Sequence, residues 1–157
     1  MLSSILRGAA AGAAGATALN AATYVDMVVR GRAASSLPEE AVEKIARTLG
    51  VRIPGGEQQK QAREVGLGAL LGLVTGTAVG AAYGAAHGAG WRPDVLRGGL
   101  AATGAALVAA NGPMTVLRIT DPRRWSVADW ISDLVPHVAY GFVTAATFAA
   151  TVRKRRR

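Results

Sequence analysis

Glycines recur every fourth residue through one uncharged stretch of the chain: Gly68, Gly72, Gly76, Gly80, Gly84 and Gly88. No other feature limits the fold as strongly. A glycine inside a water-exposed helix costs about 1 kcal/mol relative to alanine, so a helix carrying this run is marginal in water. In a bilayer the alternative to the helix is unsatisfied backbone, and the helix survives. The missing side chains then let two backbones approach closely along the small-residue face. The stretch 65–90 is therefore expected to span a membrane and to pack as a glycine zipper. Four residues turn a helix by about 400°, so the stripe advances by about 40° per glycine and winds about 200° in all. Either a partner crosses along the i±4 ridge, or two partners share the stripe and this helix is central. The plainer alternative is that the run serves only packing within one molecule.

Composition points the same way. Half of the 157 residues are apolar, but only two are Phe, and Ala and Gly supply much of the rest. Bulky material for a water-soluble core is scarce. Cysteine is absent, which excludes disulfides and thiolate metal sites. The formal charge is +8. Part of it lies in the terminal run Arg153, Lys154, Arg155, Arg156 and Arg157, directly after an apolar segment. That placement suits contact with anionic lipid headgroups on a cytoplasmic flank better than binding of nucleic acid.

Four apolar segments are expected to cross the bilayer, at about 8–28, 65–90, 97–117 and 130–152. Each has roughly the 20 residues that a crossing needs. Together they form one all-α membrane domain over residues 1–157. A signal peptide is the competing account of the first segment, and an Ala-rich soluble helical bundle is the competing account of the whole. Between the first two spans, Ser36 with Glu39 matches a capping box and Pro38 suits the first helical turn. Val42, Ile45 and Leu49 then make an apolar stripe before Gly50, so a short amphipathic helix is expected at 37–49. Four spans put both termini on one side, and the arginine tail makes that side cytoplasmic, in a plasma membrane. Trp91, Trp125 and Trp130 fall near segment ends, as interfacial aromatics do.

Polar residues within spans are costly and point to function. The end of the first span, the end of the third and the start of the fourth share one side. Asn20, Asn111 and His137 are thereby expected to meet within one half of the bilayer, with Asp26 and Asp133 in a shallower acidic layer. Pro113 removes a backbone donor after Asn111, as in a broken helix lining a cavity. Asp129, Asp133 and His137 share a helix face, and a carboxylate beside histidine suits proton transfer. The plainer account has the aspartates facing interfacial water and His137 bonding a neighbouring helix. His87 stands apart among small residues, in a structural or interfacial role. No G-x-S-x-G elbow, P-loop or H-E-x-x-H motif occurs. No enzyme activity, cofactor or metal is expected.

The segments ALNAATYVDMVVRGRAASSLPEE and PHVAYGFVTA resemble those of small, uncharacterised four-helix membrane proteins of high-GC Gram-positive bacteria. PHVAYG also resembles the YagU-like inner-membrane family, which is associated with acid resistance. The first resemblance implies the four-helix fold and no known activity. Neither implies a catalytic residue. The expected function is a non-enzymatic packing or accessory role, with self-association or a membrane-protein partner. A small channel or transporter built on the polar residues is the alternative, and a toxin-type glycine-zipper peptide a third.

Overall fold

The glycine stripe finds its match on the first helix. In the computed structural model, which describes residues 1–153, α1 (Leu2–Arg30) runs antiparallel to α3 (Glu57–Gly88). Gly8 lies against Gly84, Gly12 against Gly80, and Ala16 against Gly76. Both helices carry small residues at intervals of four, so the two rows stay in step. The approach is backbone to backbone: a Cβ added at Gly80 would sit 2.5 Å from the Gly12 Cα. No side chain larger than hydrogen fits there.

The rest of the chain builds outward from this pair. A short helix, α2 (Leu37–Thr48), crosses the first half of α3, where Pro38 occupies the space left by Gly68. After α3 come α4 (Val95–Val116), a 3-10 turn at Pro122–Arg124 and α5 (Val127–Arg153). α5 packs on both α1 and α4, again antiparallel to each. Gly15 makes room for Tyr140 and Thr144, and Gly141 lies on Gly99 and Thr103. The Tyr140 hydroxyl donates to the Gly76 carbonyl at 2.6 Å and ties α5 to α3. The architecture is all-α, with no strand among the described residues.

Local signals explain the helix ends. Gly50 (φ +67°) and Gly90 (φ +106°) take the left-handed conformation that closes α2 and α3. In each case the next residue donates back across the last turn: Val51 N–H to Ala46 O, Trp91 N–H to Ala86 O. α4 ends the same way, with Ile119 N–H on Met114 O, but Arg118 (φ +56°) holds the position that glycine fills elsewhere. Asp94 caps α4 by accepting from Arg97 N–H at 2.8 Å. Ser126 and Asp129 cap α5 reciprocally: Asp129 accepts from Ser126 N–H and Oγ, and its own N–H donates to Ser126 Oγ.

Several expectations need correction. The stripe does not pack along its whole length. Gly72 faces open space, because α2 ends its contact near Gly68 and α1 begins its own near Gly76. At Gly88 the nearest atoms belong to the Met1 and Ser4 side chains, which can move, rather than to backbone. α3 packs most extensively on α1 and also meets α2 and α4, while its outer face stays open. α4 is not broken at Pro113 but ends three residues later, since a proline in the last turn removes only one bond. Ser36 donates to Glu40 Oε1 at 2.7 Å, and the expected box with Glu39 does not form. Two helices, α3 and α5, are long and apolar enough to cross a membrane. α1 and α4, also expected to span, are long enough but fall short in apolarity. Lys154 to Arg157 and the Arg153 side chain lie outside the described residues, and with them the expected headgroup contacts of the tail.

Candidate functional site, a polar cluster at one end of the bundle

The antiparallel order brings the C-terminal ends of α1 and α4 beside the start of α5. Two linked groups of polar side chains form there. In the first, Asp26 on α1 accepts from Arg30 Nη1 at 3.3 Å and from Arg32 Nε just beyond the helix. Arg30 Nη1 also donates to Ser132 Oγ at 2.7 Å, and that hydroxyl donates onward to Asp26 Oδ2 at 3.4 Å. In the second, Asn111 Nδ2 on α4 donates to Asp133 Oδ2 at 2.9 Å. His137 Nδ1 lies 2.7 Å from the Asp133 carbonyl oxygen and 3.4 Å from Asp133 Oδ1. A carbonyl oxygen only accepts, so Nδ1 carries the proton and Nε2 is the acceptor in the neutral ring.

Helix geometry accounts for this arrangement. Asp133 and His137 are one turn apart and stack on one face of α5. Asp26 and Arg30 do the same on α1. The neighbouring residues Ser132 and Asp133 point to two different helices, one to α1 and one to α4, so they join the two groups through the backbone. His137 is only 8% exposed and lies inside the α4–α5 contact.

Of the expected residues, Asp26, Asn111, Asp133 and His137 lie in this region. Asn20 does not join them: it is exposed and outside the cluster. Six residues separate it from Asp26, a rotation of about 600°, which leaves the two about 120° apart around α1. Arg32 and Ser132 belong to the cluster without having been expected. Asp129 is taken up by the α5 cap. No group of three possible metal ligands occurs among the described residues. Every carboxylate in the cluster already accepts from a cation, an amide or a hydroxyl. The contacts tie the ends of α1 and α4 to the start of α5.

The opposite end is differently built. His87 packs on Phe148 with ring centroids 4.8 Å apart, and Tyr83 meets Phe148 and Trp91 edge-on. Trp125 and Trp130 pair at the polar-cluster end, so tryptophans mark both ends of the bundle. At the mouth of the α2–α3 contact, Lys60 lies 3.5 Å from both Glu64 and Glu43. Glu64 first and Glu43 second hold its ammonium above the ordinary lysine pKa.

Comparison with known proteins finds no matching family, no matching characterised protein and no matching solved structure. The functional reading accordingly rests on this chain's own residues.

Proposed function

We propose that this chain is a non-enzymatic, multi-pass membrane protein whose helices at about 8–28, 65–90, 97–117 and 130–152 cross the bilayer. One observation carries the reading: the bundle is packed inside out relative to a water-soluble one. Its buried hydrophobic residues are Ala11, Ala16, Ala41, Val42, Tyr83, Ala102, Ala106, Tyr140, Ala145 and Phe148, with no leucine or isoleucine among them. The large aliphatic side chains face outward on each long helix. Examples are Leu2 and Leu6 on α1, Leu70 and Val74 on α3, Leu100 and Val108 on α4, and Ile131 and Val135 on α5. A water-soluble monomer rarely exposes contiguous apolar surface on this scale. In a bilayer the same surface meets lipid, and small residues supply the helix contacts. The lengths agree: 29 residues in α1 and 22 in α4 extend about 43 Å and 33 Å, against a hydrocarbon core of about 30 Å.

Within that frame the role is packing or accessory, in the plasma membrane, with self-association or a membrane-protein partner. The paired carboxylates of the polar cluster, Asp26 and Asp133, support it. Alkaline carbonate washing tests the membrane reading. The protein remains with the pellet, and its release into the supernatant would overturn the proposal. Cross-linking in native membranes tests the association, with a discrete larger species expected; monomer alone at every cross-linker dose removes that part.

A second reading has a specific observation in its favour. His137 is buried against Asp133, which also binds Asn111 on the neighbouring helix, an arrangement suited to a proton-linked channel or transporter. His137→Ala then changes proton flux in reconstituted vesicles while His87→Ala does not. Equal flux in parent and both variants removes this reading.

A further inference from the structure

The end of the bundle away from the polar cluster carries an open cleft of about 320 Å³. Ser4 and Arg7 of α1, His87 and Gly88 of α3, Arg92 of the α3–α4 connection and Val152 of α5 line it. We propose that this cleft binds the phosphate of an anionic phospholipid headgroup. The inference rests on the membrane reading above and adds a defined site to it.

Charge gives the first argument. Among the described residues no carboxylate lines the cleft, and neither Arg7 nor Arg92 forms an ion pair. The nearby acid in sequence, Asp94, is occupied by Arg97, at 3.6 Å, and by the cap of α4. At the opposite end Arg30 and Arg32 share the one carboxylate of Asp26. Two guanidinium groups facing one cleft without a protein anion suit an external one, and arginine's planar fork matches phosphate oxygens.

Helix ends give the second argument. α1 begins at the cleft, and its first internal bonds are donated by Ser4 and Ile5 to Met1 O, which leaves the preceding N–H groups open. The positive end of a 29-residue helix therefore adds to the arginines. α3 ends at the same place with the opposite polarity, but three of its last carbonyls are already taken. Ala85, Ala86 and His87 accept from Ala89, Gly90 and Trp91 N–H groups. The cleft is thus net attractive to an anion. Ser4 supplies a hydroxyl donor, and Val152 supplies apolar surface on the bilayer side.

Size and place give the third. About 320 Å³ is at the low end for ligand sites, enough for a phosphodiester headgroup while its acyl chains stay in the bilayer. The cleft lies beside Trp91, in the position of an interfacial aromatic, and the basic run Arg153–Arg157 begins directly after Val152 in the sequence.

The test uses the full chain purified in detergent and mixed with phosphatidylglycerol, phosphatidylcholine or inorganic phosphate. Native mass spectrometry counts the lipids retained. The parent retains phosphatidylglycerol over phosphatidylcholine. The Arg7→Gln/Arg92→Gln variant retains one phosphatidylglycerol fewer, with apparent affinity for it lowered at least about tenfold. Arg123→Gln, at the other end of the bundle, matches the parent. Circular dichroism and gel filtration confirm that each variant keeps its helices. Equal retention by the double variant and the parent overturns the proposal, as does an equal loss in Arg123→Gln, which would mean diffuse charge attraction. Millimolar inorganic phosphate displacing the lipid, with no preference for phosphatidylglycerol, assigns the cleft to free phosphate and overturns the lipid assignment. Failure of the membrane reading would show separately, as protein recovered without detergent.

Discussion

Gly80→Ala and Gly72→Ala place the same methyl group on the same helix eight residues apart, and the two changes have opposite expected outcomes. At Gly80 the new Cβ would lie 2.5 Å from Gly12 Cα and 2.6 Å from Gly12 N. An ordinary carbon contact needs about 3.5–4.0 Å, so α1 and α3 must part by about 1 Å. Both contacting groups are backbone, and neither can rotate away. The cost is about 1–3 kcal/mol, as for other overpacked sites. At Gly72 nothing lies within 4 Å, so only helix propensity changes. Alanine then stabilises by up to about 1 kcal/mol. Gly76→Ala falls between: its Cβ meets the Ala16 Cβ at 3.2 Å and the Tyr140 ring at 3.3 Å, which can yield slightly. Unfolding in mixed micelles with increasing SDS, followed by circular dichroism, ranks the variants. Stability is expected to fall in the order Gly72→Ala, parent, Gly76→Ala, Gly80→Ala. Indistinguishable curves for Gly72→Ala and Gly80→Ala would refute the backbone-contact argument.

The same assay reads three further changes. Tyr140→Phe removes the bond to the Gly76 carbonyl and lowers stability by about 0.5–1.5 kcal/mol; an unchanged curve would show that the hydroxyl does not tie α5 to α3. Asn111→Ala separates α4 from Asp133 and is expected to cost about 1–3 kcal/mol, whereas Asn20→Ala, at an exposed position outside the cluster, is neutral. Asp26→Asn weakens the ties to Arg30 and Arg32, with a loss that shrinks as salt rises. Lys60 lies outside the span that begins at Val65, and its folded-state pKa is raised. Its contribution is therefore in place at neutral pH and is lost as pH rises through the lysine range. Glu64→Gln is expected to flatten that alkaline dependence, and an unaltered alkaline melt would contradict it.

Much of this arrangement was legible in the sequence, for stated reasons. The glycine period predicts a close partner, and Gly8, Gly12 and Ala16 show the same period on the only helix that meets it in register. Gly50 announces the end of α2. Alternating helix direction groups Asp26, Asn111, Asp133 and His137 at one end without any coordinates. The failures share a cause. Depth along a helix is readable from residue counting, but direction around it depends on which face the neighbours choose. That is why Asn20, at a suitable depth, points away. Gly72 fails similarly, since the change of partner from α2 to α1 depends on loop geometry. Ser132 and Arg32 carried no signal, because a serine near a helix start and an arginine after a helix end are common. The cleft at Arg7 and Arg92 joins residues from separate elements, and no local pattern connects them.

The chain's lack of cysteine allows a direct measurement of the four-span arrangement. Single cysteines are placed at Ser3 and Ala89, at one end of the bundle, and at Ser35 and Arg123, at the other, and sealed cells are exposed to a membrane-impermeant thiol reagent. A four-span bundle requires Ser35→Cys and Arg123→Cys to be labelled from one side of the membrane, and Ser3→Cys and Ala89→Cys only from the other. Labelling of all four positions from the same side of an intact membrane would contradict it.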